Sequence, residues 1–175
     1  MLRRLIVLLA VLAGMSAGGT AVQAAAAPTP TVSEQDRTFL TEAHQGNLSE
    51  IQAGRAAQEQ ATSQAVKDAG ERFVRDHTTL DRQITEVAGK LGVTLPDEPS
   101  AEQKAALEKV KANSGAAFDR AWVEQEIGDH RADLAAGQKQ QSEGSSEQVK
   151  QLARDAGPVI KGHLDLLENI KGSGG

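Results

Sequence analysis

The chain has 175 residues, 39% hydrophobic and 25% charged, with no Cys, no Tyr, 3 Phe and 1 Trp. Lacking cysteine, it cannot be a disulfide scaffold, a thiol enzyme, a zinc finger, an iron–sulfur protein or a covalent haem carrier. Its 19 Lys and Arg against 24 Asp and Glu, with so few rings to stack on bases, argue against nucleic acid or an anionic membrane as the partner.

Residues 1–27 open with Arg3 and Arg4, run through the apolar stretch Leu5 to Ala13, and end in small residues around Val22-Gln23-Ala24. That order is a secretory signal peptide, too short in its apolar part to span a bilayer permanently. Cleavage is expected after Ala24 or within the following alanines, giving an exported protein, secreted or held in the cell envelope, with no integral membrane segment. Removing 24 residues takes away two arginines and no acid, so 17 minus 24 leaves a charge of −7.

The remainder shows no sustained alternation and is rich in Ala, Gln, Glu, Lys and Leu, so it reads as all-α. Ser33-Glu-Gln-Asp36 caps a first helix reaching about Gln60, with Phe39, Leu40, Ala43, Leu48 and Ile51 at helical spacing. After a turn at Ala61-Thr-Ser63, a second helix runs to Leu91 and stops at Gly92. An extended stretch to Pro99 leads into a short helix capped by Ser100, ending before Asn113-Ser-Gly115. A third long helix spans about Ala116 to Ser142, and Ser145-Ser-Glu-Gln148 caps a fourth, which Pro158 should kink. The domain therefore spans residues 33–171, with 172–175 as a disordered tail. Two helical hairpins joined by a long crossover carrying a short helix are the arrangement of a ferritin-like four-helix bundle.

Each long helix carries one histidine: His44, His77, His130 and His163. Within both hairpins the spacing is 33, and a shift of 86 lays the first pair on the second, as an ancient hairpin duplication would. All four lie on apolar stripes and are expected to converge on one mid-bundle layer. Glu50, Asp76, Glu126, Asp129 and Asp133 fall near that layer. A buried neutral imidazole needs partners for both nitrogens, which either a metal with orienting carboxylates or a metal-free histidine–carboxylate network supplies. Haem is disfavoured by the scarcity of rings. No Gly-x-Ser-x-Gly turn or phosphate loop is present, and nothing else marks an enzyme.

Asn47-Leu-Ser-Glu50-Ile, Phe73-Val-Arg-Asp76-His77, Phe118-Asp-Arg-Ala-Trp122 followed by Asp129-His130, and the late His163 together give a resemblance to the exported bacterial family called domain of unknown function 4142, continuous from about Ser33 to Ile170. The resemblance implies a ferritin-like bundle and an envelope location, with no established activity. The Glu-x-x-His pairs of ferritin-like oxidases are missing, since Val74 and Ile160 stand three before His77 and His163. A histidine-rich set suits copper, zinc or nickel better than paired iron, with iron retained as a candidate. The expectation is thus reversible transition-metal binding through His44, His77, His130 and His163, with Glu50, Asp76, Glu126 and Asp129 at the site. The alternative is a structural or stress-related envelope protein whose buried histidines respond to pH.

Overall fold

The computed structural model describes residues 32–173, so the expected signal segment, 1–27, lies outside the described residues. Five helices are present and no strand among the described residues: α1 (Glu34–Gln60), α2 (Gln64–Leu91), α3 (Ala101–Lys111), α4 (Ala116–Glu143) and α5 (Glu147–Gly172). The expected all-α class and helix limits agree with this to within a residue or two. No described helix is long and apolar enough to cross a membrane. α5 is helical straight through Pro158 and includes Gly172, the first residue of the expected tail.

Local signals explain the helix limits. Ser33 and Asp36 form a reciprocal capping box at the start of α1, as Ser100 and Gln103 do for α3. Gly92 ends α2 at φ 66°, a left-handed conformation that glycine adopts without steric cost.

Long-range ties set the directions. Asp36, at the start of α1, accepts hydrogen bonds from Gln140 Nε2 (2.6 Å), Ser145 Oγ (2.6 Å) and Ser146 N (3.0 Å), at the turn between α4 and α5. Asp119, at the start of α4, accepts from Thr62 Oγ1 (2.5 Å), Thr62 N (3.0 Å) and Ser63 N (2.9 Å), at the turn between α1 and α2. Each hairpin thus caps the turn of the other, and α1 runs antiparallel to α4. Burial works against the Asp36 carboxylate, but the bonds from Ser145, Gln140 and Ser33 outweigh it and hold its pKa far below the usual range.

α1 packs on α2 and α4, α5 packs on α4 and α2, and α3 lies across α1 and α4. The core falls into two clusters. One gathers Phe73, Phe118, Trp122, Val123, Ile127 and Leu167 around the α1–α2 turn. The other, with Phe39, Leu40, Ile84, Val149 and Ala153, sits toward the α4–α5 turn. A cavity of about 850 Å³ beside the second cluster is lined mainly by aliphatic side chains of all four long helices, with Asn47 and Asp133 on its wall. The histidine layer lies against Phe73, where the first cluster ends.

Candidate metal centre

α2, α4 and α5 each deliver one imidazole to the bundle axis. His77, His130 and His163 are all buried, and one ring nitrogen of each lies within 4.8 Å of the others. Phe73 closes the layer from the side of the α1–α2 turn, stacked on His163 at 4.4 Å and tilted against His130 at 4.8 Å.

Each ring is fixed through one nitrogen. His130 Nδ1 donates to the Glu126 carbonyl at 2.9 Å, a bond within its own helix. His163 Nε2 donates to Asp76 Oδ2 at 2.9 Å. Asp76 is itself held by Arg72 and Arg75. Burial opposes ionisation of Asp76, yet the bonds from His163 and Arg72 keep its pKa below the usual range, so it accepts as a carboxylate. His77 Nδ1 donates to Asn47 Oδ1 at 2.8 Å.

Burial lowers the pKa of all three imidazoles, to about 4 for His130 and well below the ordinary value for His77, where repulsion from His130 and His163 adds to it. Neutral rings carry one proton each, and those protons are already committed. The nitrogens left as lone pairs are therefore His77 Nε2, His130 Nε2 and His163 Nδ1. His130 Nε2 and His163 Nδ1 approach to 3.2 Å, and with the ring protons assigned outward both present lone pairs to that gap.

Two acids complete the group. Glu50 from α1 and Glu126 from α4 are buried, and each offers a carboxylate oxygen within 4.8 Å of His130 and of the other acid. Burial raises both pKa values, that of Glu126 to about 7; for Glu50, repulsion from Glu126 adds to burial, and a hydrogen bond joins the pair. Burial and mutual repulsion thus oppose ionising both acids at once. Among the described residues, the buried side-chain atoms without a hydrogen-bond partner are Glu50 Oε2, Glu126 Oε2 and His77 Nε2. His77 Nε2 lies 4.0 Å from Glu50 Oε2. A buried polar atom without a partner is costly, and these atoms lack a partner, which the surrounding side chains do not supply.

His44 does not join this layer, contrary to expectation. Its Nδ1 meets Asp81 Oδ1 at 2.6 Å and its Nε2 meets the Pro96 carbonyl at 2.8 Å, so both nitrogens face acceptors. It pins the segment after α2 to the hairpin instead. The reason is register. The reciprocal caps relate Asp36 to Asp119, Thr62 to Ser145 and Ser63 to Ser146, each 83 residues apart, whereas the histidine shift is 86. Under the structural register His130 corresponds to Asn47, and His44 lies one turn too far from its apex.

Asp129 also departs from its expected place beside the imidazoles. It accepts from Gln125 at 2.8 Å and lines a cleft toward α3. Sequence reasoning passed over Asn47, whose signal was its position opposite His77 across the α1–α2 turn.

The sequence matches the description Domain of unknown function (DUF4142) over residues 21–170. The chain belongs to this family. No curated protein matches this DUF4142 chain. Among solved structures, it is similar to the crystal structure of a DUF305 fragment from Deinococcus radiodurans, with a TM-score of 0.73, 16% identity, and coverage of 82% of this chain and 99% of that one. At that identity the likeness shows a shared helical fold alone.

Proposed function

We propose that this DUF4142 protein reversibly binds a transition metal ion through His77 Nε2, His130 Nε2 and His163 Nδ1, in a ferritin-like bundle that serves sequestration or sensing outside the cytoplasm. The observation that carries the reading is the 3.2 Å approach of two buried imidazole nitrogens whose partner nitrogens are already held by acceptors. Two nitrogens each about 2.0–2.1 Å from a tetrahedral ion stand roughly 3.3 Å apart, so the protein already holds them at coordination spacing. Asn47, the Glu126 carbonyl and Asp76 orient the three rings through their other nitrogens, as outer partners do in metal sites. Once an ion displaces their protons, Glu50 and Glu126 supply the negative charge that three neutral donors lack. Imidazole with nearby carboxylate suits zinc, copper or nickel, with iron less well matched.

Support for the ferritin-like assignment comes from helix direction. α1 and α5 run one way, α2 and α4 the other, and α3 returns the chain along the bundle between them.

The test is elemental analysis of protein purified without chelator. About one ion per chain is expected, lost in His77→Ala and His163→Ala and retained in His44→Ala. Excess metal at about a hundredfold Kd should stabilise the fold by about 2.7 kcal/mol, read as a higher Tm. Protein that resists loading and melts identically with and without chelator would instead favour a purely structural histidine–carboxylate network. That network leaves His77 Nε2 without a partner.

A further inference from the structure

The imidazoles are sealed from solvent, so an ion needs a route to them. Two openings approach the layer. The larger, of about 850 Å³, is lined chiefly by aliphatic groups such as Leu134, Leu152 and Ile160, and its two acids, Glu42 and Asp133, share the wall with Lys161. A dication there would meet apolar surface over most of its path and the repulsion of a lysine. The smaller, of about 240 Å³, lies where α3 roofs the seam between α1 and α4. Its lining includes Glu102, Gln103, Gln125, Glu126, Asp129 and Ser49, and no basic side chain.

The depth of this cleft is what distinguishes it from a patch of surface acids. Glu102 is exposed, Asp129 is half-buried, and Glu126 is 2% exposed with Oε2 unpartnered. Glu126 in turn lies beside Glu50, whose oxygens are 3.9 Å from His130 Nδ1 and 4.0 Å from His77 Nε2. Oxygen donors therefore continue from exposed Glu102, through half-buried Asp129, to the fully buried pair Glu126 and Glu50 beside the imidazoles. Zinc-like divalent ions accept carboxylate oxygen in place of water, which makes such a ladder passable.

Resting on the metal-binding reading, we propose that divalent cations reach the centre through the α1–α3–α4 cleft, captured by Glu102 and Asp129 and handed inward by Glu126 and Glu50 to the histidine nitrogens. Glu126 and Glu50 are then a second, transient cation position. The crossover helix is the roof of the passage, a role separate from connecting the two hairpins.

The experiment follows Co²⁺ uptake by its visible absorption after rapid mixing with metal-free full-length protein. In Glu102→Lys/Asp129→Asn, filling should slow by about tenfold or more, with the same final absorbance and the same helical circular dichroism. The wild-type rate should fall with added salt while the variant's changes little. Glu42→Gln, at the rim of the larger cavity, should fill at the wild-type rate. A double variant as fast as wild type, or slowing by Glu42→Gln instead, overturns the route while leaving the metal site standing. If the wild type develops no Co²⁺ absorption, the metal-binding reading fails and the route falls with it.

Discussion

A neutral imidazole carries one proton and one lone pair, and around His77, His130 and His163 the protons all point outward, to Asn47 Oδ1, the Glu126 carbonyl and Asp76. The depressed pKa values have a direct consequence. Protons compete for an exposed imidazole from about pH 6.5, but for His130 only as pH nears about 4. Through these rings metal affinity should therefore change little from pH 8 to 6 and collapse below about pH 5, while protonation of Glu50 and Glu126 weakens binding already near pH 7; titration calorimetry of wild type beside Glu126→Gln separates the two. Asp133 makes the opposite contribution to folding. Burial raises its pKa to about 7, so the folded state holds a proton that the unfolded chain has released. Its stabilisation is present below the unfolded value of about 3.9 and is lost as pH rises toward 7. Asp133→Asn in metal-free protein should thus match wild type at about pH 3.5 and exceed it by about 1–2 kcal/mol at pH 8. Urea midpoints at the two pH values check this, and equal stability at pH 8 would sink it. The three-histidine set was legible in the sequence because apolar spacing turned those rings inward. His44 was misplaced because equal spacing of 33 fixes separation along the chain and not height above a turn, and one helical turn, about 5.4 Å, is enough to exchange His44 for Asn47 opposite His77.

Helix limits were readable from the sequence to within a residue or two because caps are local: Ser33, Ser100, Gly92 and Ser146 act on their own turn. Contacts between elements were not readable in the same way. Gly54 of α1 and Gly70 of α2 let two backbones meet so closely that a Cβ on either would lie 2.6 Å from the other's carbonyl oxygen. Nothing in the spacing of either glycine announces this, since each alone looks like a weak point in a helix. Gly54→Ala should cost about 2 kcal/mol, because backbone cannot yield as a side chain can and the gain in helix propensity is smaller. Gly128, also in a helix interior, has nothing within 4 Å of an added Cβ. Gly128→Ala should stabilise by about 0.5–1 kcal/mol. Denaturant midpoints of the two variants should move in opposite directions, and movement the same way would refute the close-approach argument.

For the whole molecule, the histidine layer bounds the apolar cluster around Trp122, and the second cluster lies toward the opposite turn. An ion held by α2, α4 and α5 would tie the two hairpins together at a level where aliphatic packing does not. The reciprocal caps have a further result. Asp36 completes the turn between α4 and α5, and Asp119 completes the turn between α1 and α2, so neither half of the chain contains everything its own bend requires. A gene cut within the segment between α2 and α3 should yield two pieces that are largely unstructured alone and regain helix when mixed in equal amounts. Circular dichroism of the separate and combined fragments would show it. A hairpin that folds by itself as completely as in the whole would mean that the borrowed aspartates are dispensable. If they are not, any descent from a single doubled hairpin must have passed through a pair of identical chains, each finishing the other's bend, before one polypeptide took over both parts.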